Sequence, residues 1–321
     1  MAGSKEVAVS LENLSHEYPA RGKSPARKAL SGVSLTVGSG EVFGLLGPNG
    51  GGKTTLFKIL STYFAPTSGR AVLLGLDAAT QAASLRPRIG VVFQNPSLDR
   101  KLTVRENLVH QGRLYGLSGE ALGKRVDGLL ERYQLSARAG EFAEHLSGGM
   151  KRRVELAKGL LHKPEILILD EPSTGLDPGA RKTLWDHLKE LRASDAVTVL
   201  VTTHLMEEAE RCDRLAIMDQ GKVAALGSPD ALKAEIGGDV ISIDSPEPAR
   251  LKADLKARFG AEADLVDCTL RLERREGHTF IPQLIEAFPG AVRSVSLGKP
   301  TLEDVFIHHT GRKFAPAEAV E

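Results

Sequence analysis

A glycine-rich segment early in the chain has the residues of a phosphate-binding loop. Residues 47–54 (GPNGGGKT) fit the pattern GxxxxGK[ST], follow the strand-like run 41–46 and open a segment with helical periodicity. Glycines let backbone N–H groups approach phosphate oxygens, and the start of a helix adds partial positive charge. Lys53 would bind the β- and γ-phosphates, and the Thr54 hydroxyl would ligate Mg²⁺. The residues predicted to bind the nucleotide here are Gly47, Pro48, Asn49, Gly50, Gly51, Gly52, Lys53, Thr54 and Thr55.

Two carboxylates follow the apolar run 166–169. Because ligands gather at the carboxyl ends of parallel strands, Asp170 and Glu171 would face the same site as the phosphate loop. Asp170 would hold Mg²⁺, directly or through water, and Glu171 would orient and deprotonate the attacking water. Taken alone, the pair would be two solvated acids after a core strand. Together with the phosphate loop, it predicts a P-loop nucleotide hydrolase.

A Ser-Gly-Gly sequence shortly before the carboxylates narrows this class. Residues 146–153 read LSGGMKRR, in which Ser147 is a good helix N-cap and two glycines expose backbone N–H groups. Here the chain resembles the ATP-binding-cassette (ABC) family, whose hallmark is an LSGGQ-type sequence at this location. The resemblance implies that Ser147, Gly148 and Gly149 contact the γ-phosphate of ATP held on the other subunit of a dimer. The chain has Met150 where glutamine is commoner, and Gly51 where alanine is frequent, and neither departure is expected to prevent this arrangement.

The same resemblance implies roles for four further residues. Gln94 would meet Mg²⁺ and line the groove that receives a membrane subunit, and Tyr18 would stack on adenine. His204 would contact the γ-phosphate and steady the attacking water, while Asp177 would lie in a loop that crosses the dimer interface. Each has a simpler alternative, because Gln94 could be a surface residue, His204 structural and Asp177 a helix cap, and no local motif surrounds Tyr18.

The pattern of the whole chain predicts an α/β fold. Short apolar runs alternate with segments of helical periodicity, which favours parallel strands. We expect a P-loop NTPase core, to which the family resemblance adds RecA-like, antiparallel β and helical subdomains. The core would span residues 1–237, followed by a small C-terminal α+β domain at 238–311 and a disordered tail at 312–321. That C-terminal domain is predicted to alternate strand, helix, strand, helix and strand, with a final helix from Thr301.

Composition excludes several functional classes. The chain has 321 residues, 41% of them hydrophobic and 26% charged, and a formal net charge of +1. This charge provides no general attraction to nucleic acid. The longest apolar runs are strand-sized and fall short of the roughly 20 residues that cross a bilayer. The two cysteines, Cys212 and Cys268, are far apart and are predicted to be free thiols.

Residues near the C-terminus favour one branch of the ABC family. Residues 300–311 (PTLEDVFIHHTG), together with 95–99 (NPSLD) and Met150, are similar to drug-, lipid- and polysaccharide-export ATPases of the daunorubicin-resistance type. This similarity implies ATP and Mg²⁺ as ligands and a second copy or a paralogous ATPase as partner. It also implies a separate transmembrane permease and a location on the cytoplasmic face of the membrane, reached only through that permease. An importer ATPase and a non-transport ATPase of the same superfamily remain alternatives.

Overall fold

Strands and helices alternate along most of the chain. The structure is a computed structural model that describes residues 6–20, 22 and 25–314. The strands in chain order are β1 (Val7–Tyr18), β2 (Arg27–Gly38), β3 (Val42–Leu46), β4 (Ser68–Leu73), β5 (Leu76–Asp77), β6 (Ile89–Val92), β7 (Ile166–Asp170), β8 (Thr198–Thr203), β9 (Arg214–Asp219), β10 (Lys222–Gly227), β11 (Asp239–Asp244), β12 (Ala263–Val266), β13 (Thr269–Arg274) and β14 (Ser294–Gly298). The helices are α1 (Lys53–Leu60), α2 (Ala82–Leu85), α3 (Val104–Leu114), α4 (Gly119–Arg132), α5 (Gly148–Leu160), α6 (Pro178–Asp195), α7 (Met206–Ala209), α8 (Pro229–Ala234), α9 (Pro248–Phe259), α10 (Gly277–Ala287) and α11 (Leu302–Thr310).

A six-stranded sheet carries the predicted site residues. Its order is β10-β9-β3-β8-β7-β6, and every neighbouring pair is parallel except β10 with β9. Strands β3, β7 and β8 are buried along their whole length, which explains their continuous apolar runs. Leu46 is paired with Thr203, and Asp170 with Thr202. The carboxyl ends of these three strands therefore lie at one edge of the sheet.

Two other layers flank this sheet. Strands β1, β2, β4 and β5 form an antiparallel sheet in the order β2-β1-β4-β5. Helices α3, α4 and α5 contribute Leu108, Val126 and Val154 to a buried cluster that also contains Leu167 and Val199 of the six-stranded sheet. Thr103 caps α3, and Glu106 completes the capping box that the sequence predicts. The ABC-type arrangement expected from the sequence is thus confirmed.

The last four strands form a third sheet, in the order β12-β13-β11-β14. Helices α9 and α10 pack on it through a cluster that includes Ile241 and Phe280. Helix α11 instead buries Leu302 and Phe306 against residues of β9, β10 and α8. Because α11 rests on the first part of the chain, the domain boundary near residue 237 stays a prediction.

Two sequence predictions of local structure were wrong. The spacing of Leu56, Ile59, Leu60 and Tyr63 predicts that Tyr63 lies on one face of the first helix, but α1 ends at Leu60 and Tyr63 is 72% exposed. The chain leaves the helix because Thr62 takes a positive φ of 59°. The sequence pattern also predicts a strand at residues 268–272 in the C-terminal part and gives no indication of β12. Asp267 and Cys268 have φ values of 46° and 66°, so they form the two-residue turn that joins β12 to β13.

Three further features concern the cysteines, the length of the apolar helices and the C-terminal residues. Cys212 and Cys268 are both free thiols. Within the described residues, no helix is long and apolar enough to span a bilayer. Of the predicted disordered tail, residues 315–321 lie outside the described part. Phe314 packs edge-to-face against Phe306, with the ring centroids 5.0 Å apart.

Candidate active site

Three predicted site residues meet beyond the carboxyl ends of β3, β7 and β8. The Lys53 Nζ lies 3.5 Å from Glu171 Oε1. The His204 Nδ1 lies 3.1 Å from Glu171 Oε2, a close contact without the alignment of a hydrogen bond. Lys53 and Glu171 are buried, whereas His204 is partly exposed. The phosphate loop, the carboxylate pair and the end of β8 therefore share one charged pocket.

The phosphate loop depends on its glycines. A Cβ at Gly47 would lie 2.4 Å from the carbonyl oxygen of Met218, and Gly52 has a φ of 103°. Gly51 is also confined, since a Cβ there would lie 3.0 Å from the Pro48 carbonyl. The Lys53 Nζ donates hydrogen bonds to the carbonyls of Gly47 at 2.7 Å and Pro48 at 3.1 Å. The Lys53 side chain thereby crosses the phosphate loop, and its ammonium group lies on the concave side of the loop.

Burial and neighbouring charges set the ionisation of this pocket. Burial lowers the pKa of Lys53, with Glu171 and Asp170 acting against it. Burial would raise the pKa of Glu171, but His204 and Lys53 outweigh it and hold that pKa below its usual value. Burial raises the pKa of Asp170, and the nearby Glu171 charge adds to this effect. Glu171 is therefore ionised at neutral pH and can accept a proton or a hydrogen bond from water.

Thr202 is a site residue that sequence reasoning missed. Its hydroxyl donates to Asp170 Oδ1 at 2.6 Å and accepts from the Glu171 N–H at 2.9 Å. This contact holds Glu171 in the left-handed region, with a φ of 42°, where residues other than glycine are strained. The available signal was a pair of polar threonines at the end of a buried strand, directly before His204.

A second unpredicted residue, Glu208, links two loops of the site. This buried carboxylate accepts from the Thr203 hydroxyl at 2.6 Å and from the Ser173 hydroxyl. Thr203 precedes His204, and Ser173 begins the segment that leads to Asp177. The sequence gave little indication of this role, because Glu208 is one of three glutamates around the one-turn helix α7 and nothing in the sequence distinguishes it from the other two.

Two other predicted residues lie at the margins of this pocket. The Gln94 Nε2 donates to Glu171 Oε2 at a long distance of 3.4 Å. The Tyr18 hydroxyl lies 3.3 Å from Thr55 Oγ1, at the start of α1. Tyr18 also meets His16 edge-to-face, with the ring centroids 4.8 Å apart. Its ring is thus held beside the phosphate loop, where it could contact a base.

The Ser-Gly-Gly residues line a different cleft. Ser147 caps α5 by accepting from the Met150 N–H, and Asp177 caps α6 by accepting from the Ala180 N–H. Both residues border a cleft of ≈ 330 Å³ between these two helices. A Cβ at Gly149 would lie 2.9 Å from the Ala180 Cβ, so glycine lets the helices approach closely. Ser147 and Gly148 are exposed and free to meet another molecule.

The residues near the phosphate loop fit Mg²⁺ as well as phosphate. The Thr54 hydroxyl, the Gln94 carboxamide and the Asp170 carboxylate offer the oxygen ligands that Mg²⁺ prefers. Within the described residues, no group of three acidic, histidine or cysteine side chains forms a metal cage. Mg²⁺ in nucleotide sites is commonly bound by a few protein oxygens together with substrate phosphates.

The phosphate loop between a parallel strand and a helix, with a carboxylate pair two strands away, defines a P-loop nucleotide hydrolase. The comparisons with known proteins are more specific. The family described as ABC transporter matches residues 30–174. A daunorubicin resistance ATP-binding protein from Streptomyces coeruleorubidus is 41% identical over 296 residues, which cover 89% of this chain and 92% of the relative.

Two further comparisons agree. A Nod factor export ATP-binding protein I from Burkholderia lata is 44% identical over 288 residues, with 88% of this chain and 92% of the relative covered. A solved dimeric ATP-binding cassette in a post-hydrolysis state, bound to ADP and phosphate, matches with a TM-score of 0.63 and 29% identity. That match covers 68% of this chain and 98% of the cassette. This chain belongs to the ABC transporter family, and it is one of the family's ATPases.

Proposed function

We propose that this ATPase powers an exporter through ATP-driven closure and reopening of a dimer. The observation that carries the proposal is the meeting of Lys53, Glu171 and His204 in one pocket, apart from the exposed Ser147 cleft. Relatives named for daunorubicin resistance and for Nod factor export support the direction of transport. The ending at residues 300–311 resembles the same group of export ATPases.

The chain's own residues suffice to describe the hydrolytic step. Lys53 and the loop amides bind and neutralise the phosphate oxygens. Glu171, ionised and adjacent to His204, orients the attacking water and accepts its proton. Mg²⁺, when bound by Thr54, Gln94 and Asp170, supplies further neutralisation of phosphate charge. Tyr18 stacks on the adenine.

The dimer places Ser147, Gly148 and Gly149 of one copy against the ATP of the other, with Asp177 in the contact. Exposure of Ser147 and Gly148 at a helix start supports this, because free N–H groups there bind anions. Solved cassettes of this family form dimers. ATP would join the two copies, and hydrolysis would add charge repulsion that lets them separate. The second copy is this chain or a paralogue.

A dimerisation assay tests this arrangement. In a Glu171→Gln background, ATP is expected to convert the chain to a dimer in size-exclusion chromatography. Adding Ser147→Arg should weaken dimerisation at least about ten-fold, because the much larger side chain would occupy the space in which the two copies meet. ATP binding to the monomer should persist, since Ser147 lies outside the Lys53 pocket. Ser84→Arg, at an exposed serine on α2, is the matched control. Full dimerisation of the Ser147→Arg protein would remove the residue from the interface.

A permease is the proposed membrane partner. Phe93, directly before Gln94, is 41% exposed, and Leu114 at the end of α3 is exposed too. Exposed apolar side chains of this kind offer a surface for a membrane subunit, and Phe93 adjoins the site through Gln94. The chain would then lie at the cytoplasmic face of the membrane through this subunit alone, without binding nucleic acid. We propose that the chain divides into a catalytic part at 1–237 and an accessory part at 238–311. Phe93 and Leu114 both belong to the catalytic part.

Affinity purification tests the permease. Tagged chain isolated from detergent-solubilised membranes should bring down one multi-span membrane protein. Phe93→Asp should reduce that yield several-fold, whereas Leu265→Asp, at a site 42% exposed on β12, should not. Ribosomal proteins or DNA in place of a membrane protein would contradict the transport role. A solute-binding protein in the complex would indicate import.

A further inference from the structure

One face of α5 is bonded to the segment that carries Gln94. This segment, residues 93–97, follows β6 and is called the glutamine loop below. The Arg152 Nη1 donates to the Phe93 carbonyl at 2.8 Å, and its Nη2 donates to the Gln94 carbonyl at 2.9 Å. The first half of the glutamine loop is thus held by a side chain from the helix that begins after Ser147.

Glu155 and Lys158 hold the other end of the glutamine loop, at Ser97. Glu155 Oε1 accepts from the Ser97 N–H at 3.0 Å, and the Ser97 hydroxyl lies 3.2 Å from Glu155 Oε2. The Lys158 Nζ donates to the Ser97 carbonyl at 2.7 Å and to its Oγ at 2.9 Å. The N–H, carbonyl and hydroxyl of Ser97 are therefore all bonded to α5.

The spacing and burial of these side chains argue for a dedicated contact. Positions 152, 155 and 158 are three residues apart, so they lie on one face of the helix. Arg152 and Glu155 are only 5% and 3% exposed. Burying such charges costs free energy unless they are bonded, and their bonds go to the glutamine loop. Burial raises the pKa of Glu155, with Lys158 and the Ser97 bonds acting against it.

We propose that Glu155 is a positioning residue that fixes the glutamine loop to α5 and so keeps the Gln94 side chain beside Glu171. Gln94 Nε2 and Glu171 Oε2 are 3.4 Å apart, a contact that a loose loop would lose. Helix α5 also begins at Ser147, so a shift of that helix on dimer closure would carry the glutamine loop with it. This last step rests on the proposed dimer.

A double-mutant cycle on the full chain tests the positioning role. Glu155→Ala should lower kcat for ATP hydrolysis about ten-fold while changing KM by less than about two-fold, because a charged hydrogen-bond anchor is lost but the phosphate loop is intact. The Glu155→Ala/Gln94→Ala double variant should be no slower than Gln94→Ala, since Glu155 acts through Gln94. Additive losses, or a normal rate for Gln94→Ala beside a slow Glu155→Ala, would overturn the inference and leave the ATPase assignment standing.

Two more variants separate positioning from stability. Glu155→Gln keeps the side-chain length and one acceptor oxygen, so it should restore most of kcat. If the alanine variant fails to fold, Ser97→Pro removes the N–H that Glu155 accepts and should lower kcat in the same way, and a normal rate for it would overturn the inference. Leu255→Ala creates a cavity in the buried cluster of α9 and should lower Tm with kcat unchanged. If Leu255→Ala slowed hydrolysis as much as Glu155→Ala at equal loss of Tm, the effect would be one of stability and the positioning role would be refuted.

Discussion

Glu171→Gln is expected to retain ATP binding and to lose nearly all hydrolysis. The amide has the size of the carboxylate but cannot accept a proton from water, and general-base catalysis contributes about 10²–10⁴ to rate. Glu171 is buried between Lys53 and His204, so its carboxylate can contact water only within this pocket. ATP binding should persist because the substitution removes a negative charge near the phosphates. Phosphate release and fluorescent-nucleotide binding measure the two properties.

An exposed glutamate outside the pocket provides a matched control for this result. Glu207 is an exposed glutamate on α7, and Glu207→Gln should hydrolyse ATP at the normal rate. It removes the same charge without touching the pocket. Turnover by Glu171→Gln within a few-fold of the unaltered chain would exclude Glu171 as the base. His204, or water without a protein base, would then have to accept the proton of the attacking water.

Part of the pocket could be predicted because its residues follow buried strands. Lys53 and Glu171 each come after a strand that reads as an apolar run, and parallel strands bring such positions together. The role of His204 was implied by the resemblance to the ABC family. Local signals also sufficed for helix starts, as at Thr103 and Thr301, where both halves of the capping box form. A capping box depends only on residues within a few positions of one another, so the local sequence reports it.

The rest depends on contacts between distant residues, which no local pattern reports. Thr202 supports Asp170 and Glu171 from another strand, 32 and 31 positions away. Glu155 reaches Ser97 across 58 positions, and its target is a backbone N–H that any residue except proline would offer. In the sequence, the segment 95–99 and Met150 are linked only by their similarity to export ATPases. The structure joins these two regions through one face of α5.

Lys53→Ala should lose both ATP binding and hydrolysis, and it should have the broadest effect of any single change. The Nζ makes two hydrogen bonds within the loop and balances the buried Glu171. Losing a charged bonding partner of phosphate should weaken ATP binding by about 10–100-fold, or about 1.5–3 kcal/mol. Loss of a charge stabiliser should lower the residual rate by a further 10²–10³, approximately.

The measurement that separates these effects is the rise in Tm on adding ATP with Mg²⁺. A ligand that binds only the folded chain raises Tm in proportion to the logarithm of its concentration over Kd. Lys53→Ala should therefore show little rise at ATP concentrations that stabilise the unaltered protein. Lys124→Ala, which removes an exposed lysine paired with Glu120 on α4, should show the full rise. A normal rise for Lys53→Ala would mean that the loop amides alone bind the phosphates, and that the lysine acts only in the hydrolytic step.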